Sequence, residues 1–229
     1  MYSPLKSFLR FPTALESEVK ALREKLAAYE VGWPPGHFYS PIPSLAEVRA
    51  REDRIWTEDT IIPGVDLREP QQLALLETLA QHYQVQPWSE EKQSGLRYHF
   101  DNPNFRHGES IIMFCLLLEL KPRKVLEIGS GYSSCVLLDT RERFFQEKID
   151  ATFIEPYPDL LMSLVKESDK AAITVKAQKL QEVELDVFSD LNAGDILFVD
   201  STHVSKIDSD VNYIMFSVLP ALKKGVVID

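Results

Sequence analysis

Apolar residues recur along this chain at two different periods, and the change from one to the other divides it. Leu15, Val19, Leu22, Leu26 and Tyr29 follow one another at alternating spacings of four and three. That spacing predicts a helix with one apolar stripe to about Glu30, opened by a capping-box pattern at Thr13-Ala14-Leu15-Glu16. A helix packed on its own domain is the expected use of that stripe. A short dimer contact is the alternative. GWPPGHFYSPIPS follows from Gly32 to Ser44, where four prolines and two glycines predict a stiff irregular loop. Ser44 with Glu47 is a second capping box, predicting a helix that ends near Trp56. Ile61 to Leu67 reads as extended and is broken at Pro63-Gly64. Pro70 suits the first turn of a helix that carries Leu73, Leu76, Leu79 and Tyr83 on one face. Residues 84–107 read as irregular and include RYHFDNPNFRHG.

From Gly108 the rhythm becomes helix and strand in alternation. A helix is predicted over 109–120. Apolar strands follow at 124–129, 151–155, 172–176 and 195–200, with a last one from Val226. Helical stretches near 133–146, 157–168 and 207–222 lie between them. This alternation predicts an α/β fold: a Rossmann-like, doubly wound, mainly parallel sheet with helices on both faces. The domains expected are a mostly helical extension over 1–107 and a Rossmann-like cofactor-binding domain over 108–229. The chain ends at GVVID, one strand into what such a sheet would continue, so C-terminal strands are expected to be missing and the chain to be a shortened one.

Composition narrows the function classes. The chain has 229 residues, 45% of them hydrophobic and 26% charged, as in ordinary soluble proteins. Its 25 basic and 35 acidic residues give a net charge of −10, with no basic tail or stripe. That argues against nucleic acid and anionic membranes as partners. The N-terminus lacks the apolar core of a signal peptide, and the longest apolar run, Ile111 to Leu118, is too short to span a bilayer. A cytoplasmic location is the expectation. Cys115 and Cys135 sit among apolar neighbours and read as buried reduced thiols. His82, His99 and His107 share no metal-ligand spacing with acids, and no metal site is expected.

Candidate chemistry collects at the strand ends, where parallel sheets place their ligands. The first strand runs into Glu127-Ile128-Gly129-Ser130-Gly131. The second ends at Glu155-Pro156 and the fourth at Asp200-Ser201-Thr202-His203. Glycines at such a turn let a ligand lie against the backbone. An acid at the end of the second strand can accept from both hydroxyls of a ribose, which fits NAD and S-adenosylmethionine alike. Two features separate these cofactors. Ser134 takes the place of the third glycine of a dinucleotide turn. Glu127 stands where a carboxylate could hold the methionine ammonium.

VLEIGSGYSS, FIEPYP and GDILFVDSTHV, followed by SDVNYIMFSVLPALKKGVVI, resemble class I S-adenosylmethionine-dependent methyltransferases. The group they are most similar to is the bacterial type with a family-twenty-four methyltransferase domain. GHFYSPIPS and RYHFDNPNF also resemble the N-terminal extension of such proteins, so the likeness runs from about Gly36 to the end. The resemblance implies S-adenosyl-L-methionine as cofactor, with Glu127, Gly129, Ser130 and Gly131 cradling its methionine part. It implies that Tyr132, Ser133 and Ser134 open a helix whose free N–H groups meet the cofactor carboxylate. Glu155 would bind the ribose, Pro156 would shape the turn, and Gln178 would lie near the adenine. Asp200 and Ser201 would face the methyl group and the substrate, with Asp200 and His203 as the catalytic pair and His203 as a base for a hydroxyl acceptor. Members of that group continue past the fifth strand with a His-Asp pair, which this chain does not reach.

The expected activity is therefore methyl transfer to a small-molecule or sugar hydroxyl, with a homodimer through the first helix as the alternative use of its stripe. A non-catalytic or truncated cofactor-binding domain is one alternative. An NAD(P)-dependent oxidoreductase is the other; Ser134 and the lack of a Tyr-x-x-x-Lys motif count against it.

Overall fold

The computed structural model describes residues 14–29, 33, 35–37, 40, 42–57 and 64–229. The capping box at Thr13, the rings of Phe38 and Tyr39, and Ile61–Pro63 lie outside the described residues. The chain divides into two compact units, Met1–Leu67 and Arg68–Asp229.

The first unit contains α1 (Ala14–Tyr29), α2 (Leu45–Arg49) and α3 (Glu52–Ile55). Ser44 caps α2, its hydroxyl accepting from the Glu47 N–H at 3.3 Å, as the sequence pattern predicts. One predicted helix to Trp56 is two short ones, because the chain turns at Ala50-Arg51. Every described side chain of α1 is exposed, and its stripe residues Val19, Leu22 and Leu26 are not packed away. That differs from the expectation of a stripe covered by its own domain.

The second unit is the α/β part. It opens with α4 (Glu69–Ala80) and then α5 (His107–Leu120). β1 (Lys124–Ile128), α6 (Tyr132–Phe144), β2 (Asp150–Ile154), α7 (Asp159–Leu164), β3 (Thr174–Lys176), α8 (Asp186–Ser189) and β4 (Ile196–Val199) follow. α9 (Asp210–Tyr213), α10 (Leu219–Ala221) and β5 (Val227–Ile228) complete it. The five strands form one sheet in the order β3-β2-β1-β4-β5. All its pairings are parallel, with Leu126 opposite Thr152 on one side and Leu197 on the other. The strand order reverses beside β1, which is the switch point where such sheets take their ligands.

Residue alternation on β1 and its neighbours supplies two cores. Val125, Ala151, Phe153, Ile196 and Phe198 face α5 and α6. Leu126, Ile128, Ile154 and Leu197 face the opposite side, with Phe188, Ile214 and Val218. α5 stops sharply: Lys121 adopts a left-handed conformation, its N–H donates to the Leu117 carbonyl, and Pro122 follows. The predicted helix 207–222 is shorter and interrupted. Its middle, Ile214–Val218, is a π turn just before Pro220. Pro220 has no N–H for the carbonyl of Phe216 and its ring crowds that carbonyl, so the regular ladder breaks there.

The sequence pattern changes at Gly108, whereas the packing divides at Arg68. The two boundaries differ because residues 84–107 are irregular in backbone yet belong to the sheet's core. Trp88, Leu96, Tyr98, Phe100 and Phe105 are all buried there. Trp88 meets Tyr98 and Phe114 edge-on at 5.1 and 5.2 Å. Tyr98 Oη donates to the Phe105 carbonyl at 2.7 Å, and the Asn102 amide bonds the backbone at His99 and Phe105. On α4, by contrast, Leu79 is buried while Leu73 and Leu76 are exposed.

Arg97 ties this segment down. Its Nε donates to Asp169 Oδ2 at 2.7 Å, and its Nη1 donates to Asp139 at 2.9 Å and Glu142 at 2.7 Å. A second contact to Asp169 completes a bidentate pair. Asp139, buried on α6, also accepts from the backbone of Arg97 and Tyr98 and from the indole of Trp88. Burial by itself would lower the Arg97 pKa, but the hydrogen bonds it donates to three carboxylates outweigh that and raise it.

No helix among the described residues is long and apolar enough to cross a membrane. Cys115 and Cys135 are buried free thiols, both pushed up in pKa by burial.

Candidate active site

The turn after β1 is built by close approach. Gly129 N–H donates to the Ile154 carbonyl at 2.9 Å, and Asp200 N–H to the Ile128 carbonyl at 2.8 Å. These bonds continue the sheet one residue past its strands and bring the β4 backbone against the turn. A side chain on Gly129 would put its Cβ 1.8 Å from the Asp200 carbonyl oxygen, at a φ of +86°. Only glycine fits there. Gly129→Ala is expected to destabilise the α/β unit by about 2–3 kcal/mol through overpacking and backbone strain. A urea-unfolding midpoint equal to wild type would refute that.

Glu127 points toward α6 from the middle of this arrangement and is fully buried. Its Oε1 accepts from Ser133 Oγ at 2.6 Å and from Ser134 Oγ at 2.9 Å. Ser134 Oγ also accepts from the Gly131 N–H at 3.1 Å. Oε2 has no partner. Burial pushes the Glu127 pKa up to about 8, against the two hydroxyl donors; Asp200 and Glu155 push the same way. So the third position of the turn, Ser134, is occupied by a hydroxyl that serves the glutamate.

A cleft of about 560 Å³ opens at the carboxyl ends of β1, β2 and β4. Gly129, Glu155, Pro156, Asp200 and Ser201 line it. Glu155 Oε1 accepts from the Tyr157 N–H at 2.8 Å, which fixes the carboxylate and leaves its second oxygen available. Gln178 does not line the cleft. Its amide donates to the Glu182 carbonyl at 2.8 Å, and Lys179, Leu180 and Gln181 form the wall instead. Tyr157, Lys206 and Asp208 also line the cleft and went unread in the sequence. Tyr157 stands in FIEPYP, two residues after the acid, and was legible in principle. Lys206 and Asp208 lie in a loop without periodicity.

The far wall is held by Asp210. It accepts from the Thr202 N–H at 2.8 Å and from Thr202 Oγ1 at 2.6 Å. Burial pushes its pKa up, but hydrogen bonds from Thr202, Val211 and Ser201 outweigh that and hold it below the ordinary carboxylate range. The hydroxyls of Ser201 and Thr202 are therefore engaged within the protein. Ser209 caps α9, its side chain accepting from the Asn212 N–H.

Asp200 also borders a second cavity of about 580 Å³, lined by Asn104, Phe105, Ile112, Phe198 and His203. His203 Nε2 lies 3.8 Å from Asp200 Oδ1, which is ion-pair distance and too long for a hydrogen bond. His203 has a left-handed backbone, φ 56°, and a mostly exposed ring. Among the other histidines, His82 pairs with Glu119 and His107 with Glu90, each at 2.9 Å. No group of three or more metal-ligating side chains occurs among the described residues.

No protein-family model matches the chain. Over 169 residues it is 35% identical to an uncharacterized protein of Archaeoglobus fulgidus, a match covering 71% of this chain and 76% of that protein. Two solved methyltransferase structures resemble it in fold at a TM-score of 0.38 each. One, from Plasmodium falciparum, is described as a candidate protein-L-isoaspartate O-methyltransferase in complex with S-adenosyl-L-homocysteine. It is 12% identical, with 60% of this chain and 70% of that chain covered. The other is the methyltransferase PaMTH1 of Podospora anserina bound to the same product, 17% identical, with 82% of this chain and 71% of that chain covered. At that score neither likeness decides what this cleft binds.

Proposed function

The chain belongs to the same family as the uncharacterized Archaeoglobus fulgidus protein, and we propose, from the chemistry of its cleft and turn, that it is an S-adenosylmethionine-dependent methyltransferase acting on a small-molecule or sugar hydroxyl. The motif resemblance to the bacterial family-twenty-four group supports this reading. One observation carries the reading: the orphaned Glu127 Oε2, buried beside a glycine turn at the switch point. A buried carboxyl with a free oxygen suits an ammonium group. It does not suit a pyrophosphate, which would be set against Glu127, Glu155 and Asp200 together.

The residues present fit the cofactor. Glu127 would hold its ammonium, and the free N–H groups at the start of α6 would face its carboxylate. Glu155 would accept from its ribose hydroxyls through the oxygen that Tyr157 does not use. When bound, the cofactor supplies an electrophilic methyl group on a sulfonium. The protein's part is then largely positioning. The second cavity shares Asp200 with the cleft and would hold the acceptor, whose hydroxyl would approach across Asp200. Asp200 and His203 would take up the proton that the hydroxyl loses. Their present separation would have to close for a direct hydrogen bond, as is common in unliganded sites.

Calorimetric titration with S-adenosylhomocysteine, with NADH as control, tests the proposal. Binding of the first ligand alone is expected. Glu155→Ala should weaken it at least about tenfold, the loss of hydrogen bonds to a charged acceptor. Binding of NADH in preference would overturn the reading.

A further inference from the structure

Among the described residues, three buried side-chain polar atoms lack a hydrogen-bond partner: Glu127 Oε2, Ser130 Oγ and His99 Nδ1. Native folds rarely leave such atoms unpaired, so each needs an explanation. Glu127 lies near the end of β1 and Ser130 in the turn between β1 and α6. The third comes from a distant part of the chain, yet it arrives at the same place. The His99 ring meets the Tyr132 ring edge-on, centroids 6.0 Å apart and planes at 84°, and Tyr132 is the first residue of α6. Among the described residues, each of the three therefore lies on the segment from Glu127 to Tyr132 or on a ring that packs against it.

This neighbourhood already has a division of charge. Glu127 is fully buried, and its Oε1 is tied to Ser133 and Ser134 in the first turn of α6. Its free oxygen calls for a donor, ideally a cation. The N-terminus of α6, a helix of 13 residues, calls for an anion. An amino acid's ammonium and carboxylate answer both. A carboxylate has more lone pairs than the helix terminus alone would fill, and a hydroxyl and an imidazole stand by unpaired.

His99 is also held rigidly. Asn102 Nδ2 donates to its carbonyl at 2.8 Å, and its neighbour Tyr98 is locked to Phe105. The ring is thus presented by a fixed loop of the segment before α5.

We propose that His99 is a binding residue for the amino-acid end of the cofactor, its Nδ1–H donating to the α-carboxylate at the start of α6. This rests on the reading of the cleft as an S-adenosylmethionine site. It gives residues 84–107 a part in recognition as well as in the core.

The test compares two ligands. S-adenosylhomocysteine has the amino-acid end; 5′-methylthioadenosine shares the adenine, ribose and thioether but lacks it. In His99→Ala, affinity for S-adenosylhomocysteine should fall about tenfold, the loss of one charge-assisted hydrogen bond, while methylthioadenosine binds as to wild type. His99→Asn, which keeps a side-chain donor, should recover most of the loss. Equal weakening of both ligands would reduce His99 to packing against Tyr132 and overturn the proposal. No change for either ligand would overturn it too. If wild type binds neither ligand, the reading of the cleft falls first and the role of His99 with it.

Discussion

Arg97→Ala is expected to lower the stability of the α/β unit by about 3–5 kcal/mol, the cost of breaking a buried ion network by removing one partner. The change strands Asp139 and Asp169, both buried, and takes a donor from Glu142. Asp139 keeps the Trp88 indole and two backbone N–H groups, so its remaining charge stays partly solvated. Asp169 keeps only the Lys166 N–H among the contacts seen here. Arg97→Lys should fall between, since an ammonium cannot reproduce the planar fork on Asp169. Urea unfolding of the three proteins measures this. A loss below about 1 kcal/mol in Arg97→Ala would place the network with ordinary surface ion pairs and refute the account.

The second large effect concerns Glu127 and pH. In the unliganded protein its pKa lies near 8, against an ordinary value of 4.5. The folded state therefore holds a proton that the unfolded state has released across that window. Stability must fall as pH rises from about 4.5 to 8, since the unfolded state binds fewer protons there. The groups acting most on Glu127 agree with this sign: burial, Asp200 and Glu155 disfavour the ionised form, against the hydroxyls of Ser133 and Ser134. An ammonium at Oε2 needs that ionised form. Affinity for S-adenosylhomocysteine should rise with pH up to about 8, by at most about tenfold per unit, and then level off. Glu127→Gln keeps the shape and the acceptor for the serines but has no charge to offer. It should bind about a hundredfold more weakly and lose the rise with pH, as expected when one member of a buried charge pair is removed. Calorimetry at several pH values separates the outcomes. A variant that keeps the wild-type affinity would mean that Glu127 is a structural acid.

What could be read from the sequence was local. The β1 turn, its glycines and the acids of β1 and β2 lie within short motifs; Gly129 and Glu155 line the cleft, while Glu127 is buried behind the turn and does not line it. The parallel sheet followed from the alternation of strand and helix. What escaped was made by distant segments meeting. Asp139 reads as one polar position on α6, and nothing nearby announces Arg97 or Asp169, each held by the others. Residues 84–107 lack a period because their burial comes from single anchors such as Trp88 and Tyr98 and not from a repeating face. The family resemblance implies Gln178 near the adenine, but its amide donates to the Glu182 carbonyl and it does not line the cleft. Pro220 was visible, yet the π turn it accompanies was not inferred.

The strand order has a kinetic consequence. β1, α6 and β2 are neighbours in the chain and can pair early, because the loop between them is short. β4 must return to β1 from much further along, Leu197 to Leu126, before Asp200 can meet Gly129. The cleft straddles that late joint. A partly folded chain could thus display a formed β1–β2 half and still lack the cleft. Ligand-binding competence during refolding should trail the recovery of helical signal, and would mark the closing of the sheet.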